Sequence, residues 1–184
     1  MTAVMRRIIV LIGGVLVLSS AHVQVQSGDD ARRPAGKQWP AVSGDWGNTR
    51  HSTLSQITTQ NVTKLGGAWT SQKFDTPAGA RTMPLVHDGL MFLTAPPSVY
   101  ALDAKTGARV WRFQAGLQSG MGAPAREGVA VGDGLVFVGL SDARVVALRE
   151  KTGELAWNKY VGDKARGKGQ VIWGGPLYAG RVGS

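Results

Sequence analysis

An all-β fold assembled from repeated four-stranded units is predicted by three features of this 184-residue chain. The segment Ala101-Leu102-Asp103-Ala104-Lys105-Thr106-Gly107-Ala108-Arg109-Val110-Trp111 returns as Ala147-Leu148-Arg149-Glu150-Lys151-Thr152-Gly153-Glu154-Leu155-Ala156-Trp157, at an offset of 46 (147 − 101). Upstream, Asp88-Gly89-Leu90-Met91-Phe92-Leu93 returns as Asp133-Gly134-Leu135-Val136-Phe137-Val138, at an offset of 45 (133 − 88). Pro84-Leu85-Val86-His87-Asp88-Gly89 is echoed two periods later by Pro176-Leu177-Tyr178-Ala179-Gly180 (176 − 84 = 92). A fixed period decides the architecture before any single motif does.

Each element of the best-preserved unit follows from local chemistry. Apolar segments of strand length, Val129 to Val131, Leu135 to Leu140, Val145 to Leu148 and Leu155 to Trp157, alternate with the turn signals Gly132-Asp133-Gly134, Ser141-Asp142 and Lys151-Thr152-Gly153. Four strands within a period of 46, with an aromatic at a fixed place, describe a β-propeller blade. Leucine-rich, ankyrin and tetratricopeptide repeats have shorter periods, and the last two need a helical periodicity that is missing here. Thr106-Gly107 and Thr152-Gly153 supply a tight turn and a hydroxyl that can bond nearby backbone. Trp111 and Trp157, four residues after each glycine, are then expected to lie flat between neighbouring blades, where the indole buries its face and finds a partner for its N–H. These six residues are read as structural docking elements. The chain therefore reads as about two blades plus the start of a third, an incomplete propeller with units at about 82–127, 128–174 and 175–184.

Arg6-Arg7, the mostly apolar run from Ile8 to Leu18 and the small residues Ser19-Ser20-Ala21 have the layout of a secretory signal peptide, expected at 1–21 and followed by a flexible linker at 22–38. The apolar run is shorter than the roughly 20 residues that span a bilayer, so no stable membrane span is expected after cleavage. A periplasmic or secreted location follows. The zero cysteine count excludes thiol chemistry and cysteine metal sites. Net charge is +9, or +7 without Arg6 and Arg7 (9 − 2). The basic residues are scattered, apart from Lys164-Ala165-Arg166-Gly167-Lys168, and no basic run alternates with aromatics, which argues against nucleic acid as a partner. His22, His51 and His87 lack metal-ligand spacing, and no phosphate loop, nucleophile elbow or His-Glu-x-x-His motif is present. Asn61-Val62-Thr63 fits a glycosylation sequon, but a turn-forming asparagine is the favoured role.

The repeat at 101–111 resembles the tryptophan-docking repeat of pyrroloquinoline-quinone (PQQ)-dependent alcohol dehydrogenases. The stretch from Gly44 to Trp69, with Asp45-Trp46-Gly47-Asn48-Thr49-Arg50, Gln56-Ile57 and Asn61-Val62, is similar to the N-terminal segment of the same family. This second match is the more specific, and the resemblance covers about residues 39–180. It implies an eight-bladed propeller that holds PQQ on its axis beside a divalent cation, usually calcium, with a catalytic aspartate. The resemblance also implies that the cation ligands and the aspartate come from later blades, so no catalytic or metal residue is expected within this chain. The alcohol or sugar substrate and a downstream electron acceptor are the implied partners.

Four positions carry family features. An arginine that contacts the quinone matches Arg126, whose planar fork suits a carboxylate or quinone oxygen. Two adjacent cysteines of many relatives correspond to Gly120 and Met121 and are absent. A family glutamate aligns with Arg81, three residues before Pro84, and a threonine with Trp173, three residues before Pro176. One of the four matches. Two functions stay open: the N-terminal part of an exported PQQ-dependent dehydrogenase, inactive alone, or a non-catalytic propeller acting as a binding or scaffold protein. At 46 residues per blade, the 163 residues left after the signal (184 − 21) make about three and a half blades, fewer than the roughly four with which propellers close. The expectation is a truncated frame, with self-association into a closed ring as its rival.

Overall fold

A computed structural model describes residues 31–74, 82–115, 120–125, 127–163, 165 and 169–180. The signal-peptide and Lys164 to Lys168 expectations fall outside these residues, apart from Ala165, as do Arg81 and Arg126. The described part is all-β: two four-stranded antiparallel sheets, each with its strands in sequence order. The first holds β1 (Leu85–His87), β2 (Leu90–Ala95), β3 (Ser98–Asp103) and β4 (Arg109–Gln114). The second holds β5 (Ala130–Gly132), β6 (Leu135–Gly139), β7 (Arg144–Arg149) and β8 (Leu155–Tyr160). Among the described residues no helix is long and apolar enough to cross a membrane.

The sheets repeat each other down to their irregularities. Phe92 pairs with Ala101, which pairs with Trp111, and one unit on Phe137, Ala147 and Trp157 form the same row. A bulge interrupts β3–β4 between Ala101 and Leu102, and β7–β8 between Ala147 and Leu148. Period-2 alternation gives each sheet two faces. Leu85, Phe92, Val99, Ala101 and Trp111 meet Val129, Val136, Val138, Val146 and Leu148 of the next sheet in the main core. On the other face of the first sheet Leu93, Tyr100 and Leu102 are covered by Trp69 and Phe74.

Expected turn chemistry is visible in the β3–β4 connection. Asp103 Oδ1 accepts from the N–H groups of Lys105 (3.0 Å) and Thr106 (2.8 Å) and from the Thr106 hydroxyl (2.9 Å). Arg149 stands at the matching place in the second unit (149 − 103 = 46), and there the Thr152 hydroxyl donates to Glu154 Oε2 (3.1 Å). Gly107 and Gly153 still donate to the carbonyls of residues 103 and 149, both at 2.8 Å.

Docking is directional. Trp111 Nε1 donates to the carbonyl of Glu150 in the turn after β7 (2.8 Å), and its indole lies over Gly153, where a Cβ would come within 2.6 Å of the ring. Trp69 stands to the first sheet as Trp111 stands to the second. Its Nε1 donates to the Ala104 carbonyl (3.2 Å), and its ring covers Gly107 too closely for any Cβ. Trp157, read as another docking residue, is 40% exposed. It has no following sheet to receive it among the described residues, although it keeps a contact with Phe137 (centroids 5.9 Å) like that of Trp111 with Phe92 (5.9 Å).

The start of a third unit does not form a strand. Residues 175–180 carry no regular secondary structure, and Tyr178 stacks on Phe137 (5.5 Å, 5°) against the far face of the second sheet. At the other end, Trp39 bridges Val86 through both main-chain groups (2.7 and 3.0 Å) and so closes the free edge of β1. Asn61 is the turn former: its Oδ1 accepts from Thr58 N–H and its Nδ2 donates to the Gln56 carbonyl, each at 2.7 Å.

Candidate functional site

The first strands of the units begin at one end of the sheets, and the chain draws those beginnings together. A Cβ on Gly128 would stand 3.0 Å from the Met83 carbonyl, and one on Gly175 would stand 3.1 Å from the Glu127 carbonyl. Such close backbone approach is a use of glycine. Arg81, Arg126 and Trp173 are the same point of the repeat, seen three times (126 − 81 = 45; 173 − 126 = 47). The sequence already sets Arg81 and Trp173 at one point, three residues before Pro84 and Pro176, and the period adds Arg126 to it.

A cleft of about 500 Å³ opens at this end, lined by Pro96, Ala125, Glu127, Ser141, Ile172 and Trp173 among others. Its wall is held by hydrogen bonds that zip residues 122–125 onto the end of β6. Ala125 N–H donates to the Gly139 carbonyl (2.7 Å), Ser141 N–H to the Ala123 carbonyl (2.9 Å) and Ala123 N–H to Ser141 Oγ (3.0 Å). Gly122 N–H donates to Asp142 Oδ2 (2.9 Å), which also faces Arg144 Nε (3.2 Å). The residues on both sides of Arg126, Ala125 and Glu127, thus belong to the cleft wall. Trp173, 78% exposed, presents its indole in the same cleft. Met121 packs on the main core and its Sδ accepts from Asn158 Nδ2 (3.7 Å).

Thr82 lines a separate groove beside Trp39, so the residue next to Arg81 does not share the cleft with Glu127. His51 is exposed and His87 is buried, and no group of three potential metal ligands occurs among the described residues.

Residues 39–164 match the family model of the PQQ-type β-propeller domain of glucose, ethanol and alcohol dehydrogenases. The chain belongs to that family. It is 33% identical over 172 residues to the quinohemoprotein alcohol dehydrogenase of Comamonas testosteroni, a match that takes in 89% of this chain and 24% of the relative. Over 131 residues it is 39% identical to 1-butanol dehydrogenase (cytochrome c) of Thauera butanivorans, covering 68% of this chain and 19% of that one. The solved structure of the quinohemoprotein alcohol dehydrogenase ADH-IIG of Pseudomonas putida superposes with a TM-score of 0.66 at 36% identity, over 76% of this chain and 21% of that one. These bacterial relatives are several times longer than the chain. The PQQ-type propeller is therefore the architecture to which the two sheets belong.

The cleft fits PQQ in part. Trp173, Pro96 and Ile172 offer apolar surface suited to a flat ring system. PQQ also carries three carboxylates, and the only charged residue among the described lining is the acid Glu127. The described walls alone do not fit the group's charge.

Proposed function

We propose that the chain forms the N-terminal part of an exported, periplasmic PQQ-dependent alcohol dehydrogenase, and that its contribution is one wall of the cofactor cleft. The observation that carries this reading is the convergence of the unit starts on a hydrogen-bonded cleft in a chain whose family match runs over 39–164. Bound PQQ would supply the two-electron oxidant for an alcohol or sugar, beside a divalent cation held by residues outside this chain. The chain's own share is positional. Arg126 stands in sequence between the wall residues Ala125 and Glu127, and as the residue that the family resemblance matches to the quinone contact it would offer a planar fork suited to a PQQ carboxylate or quinone oxygen. A downstream acceptor, of the cytochrome c kind that one relative's name records, would take the electrons.

A non-catalytic binding propeller is the second reading, favoured by Gly120-Met121 in place of paired cysteines and by the basic Arg81. Equilibrium dialysis of PQQ against the purified chain separates the two. Retention of PQQ that Arg126→Ala lowers about tenfold or more, the loss of roughly one charge-assisted bond, supports the cofactor wall. Retention equal in wild type and variant, or none in either, refutes the role given to Arg126.

A further inference from the structure

The interface between the two sheets contains a bond that tryptophan docking does not require. His87 closes β1, and its Nδ1 lies 2.7 Å from Oε1 of Glu150 in the turn after β7, with the two side chains only 10% and 5% exposed. The pair is no part of the repeat. Gly132 and Ala179 take the histidine's place in the other units (132 − 87 = 45; 179 − 132 = 47), and Ala104 takes that of the glutamate (150 − 104 = 46). The carbonyl of Glu150 is also the acceptor for Trp111 Nε1, so one residue carries both contacts across the interface.

Charge balance gives the pair its meaning. One residue further on, Lys151 Nζ bonds Asp88 Oδ2 at the rim of the same interface. With Glu150 and Asp88 negative and Lys151 positive, the four-residue cluster is neutral only when the His87 ring is protonated. Among the described residues the elements packed here also carry Asp133 in the β5–β6 turn, whose neighbour Gly134 accepts Glu150 N–H (2.9 Å), and Arg149 at the end of β7, one of each sign. Gln38 adds only an amide, which accepts from Asp88 N–H (2.9 Å). Burial by itself disfavours a charged imidazole, but a carboxylate in contact and likewise withdrawn from water favours it more strongly, because unpaired that carboxylate is the costlier charge.

We propose that His87 and Glu150 form a proton-controlled latch between the two blades: the imidazolium binds the buried carboxylate and tightens the interface, and loss of that proton loosens it. The folded histidine then holds its proton above the ordinary value of about 6.5. The latch's stability is fully present below that value and is lost as pH rises through the folded one.

The test is an NMR titration of the histidine rings in the intact chain, with the His87 signal assigned by its loss in His87→Gln. The expected midpoint in wild type lies about one unit or more above 6.5, a tenfold or greater gain in proton affinity, and Glu150→Gln returns it to 6.5 or below. Trp111 emission, isolated as the difference from Trp111→Phe, should change at the wild-type midpoint. A wild-type midpoint at or below 6.5 overturns the proposal even if neither variant folds, and so does a midpoint unmoved by Glu150→Gln.

Discussion

Replacing Gly153 with alanine tests blade docking at its tightest point. The substitution does two things that can be separated. Gly153 has φ +73°, a left-handed conformation that costs an alanine about 1–2 kcal/mol. Its new methyl would also stand 2.6 Å from Cδ2 of Trp111, overpacking of the kind that costs about 1–3 kcal/mol. The sum is about 2–5 kcal/mol. Gly134 supplies the control, because its φ is +71° while no atom lies within 4 Å of a Cβ built there. Gly134→Ala should therefore cost only the conformational part, about 1–2 kcal/mol. Guanidinium unfolding of both variants, followed by tryptophan fluorescence, gives the difference directly, expected at about 1–3 kcal/mol. Equal losses within about 0.5 kcal/mol would show that the indole does not press on the turn, and the docking account would fall.

Trp111→Phe keeps an aromatic ring but removes the donor to the Glu150 carbonyl; a loss of about 1–3 kcal/mol is expected by denaturant titration. Trp157→Phe, at a half-exposed indole, should lose less than about 1 kcal/mol in the same assay. The Asp103 carboxyl is held below the ordinary carboxylate range, first by the Thr106 hydroxyl and then by the Thr106 N–H. Its contribution is therefore present above the unfolded value of about 3.9 and is lost as pH falls through the lower folded one. Asp103→Asn should flatten that acid limb in a thermal-melt series from pH 5 down to about 2, whereas an unchanged limb would assign the acid sensitivity elsewhere. Asp88 is held low by its hydrogen bond with Lys151 and that residue's charge, so Lys151→Met should raise the pH at which Asp88 titrates by NMR.

How much of this was legible in the sequence depends on whether a residue acts inside its own unit or across to another. Strand placement, the Thr-Gly turns and the burial of Trp111 all follow from patterns within about a dozen residues, and the period multiplies each signal. Trp69 was harder to read. It stands 42 residues before Trp111 (111 − 69), but the Thr-Gly four residues ahead of the other two tryptophans is missing there, so only its contact with Gly107 reveals it as a docking residue. The third-unit echo shows the limit of a sequence match without its neighbouring strands. Pro176 to Gly180 has the residues of a first strand, yet antiparallel pairing needs a second strand alongside, and among the described residues Tyr178 stacks on Phe137 of the preceding sheet.

The same contrast locates function. Positions that obey the repeat bury area and set the spacing between blades, so they can be exchanged between units with little consequence beyond stability. Positions that break it cannot be explained by that spacing. Trp173 breaks a point of the repeat that Arg81 and Arg126 share, and His87 and Glu150 occupy points that hold glycine or alanine elsewhere. A buried histidine and glutamate add desolvation cost to an interface that Trp111 already closes, and a repeat under selection for packing alone would have no reason to place them there. The departures, not the repeats, are where this chain differs from a spacer between blades, and exchanging His87 for the glycine of the next unit should cost more at pH 6 than at pH 9.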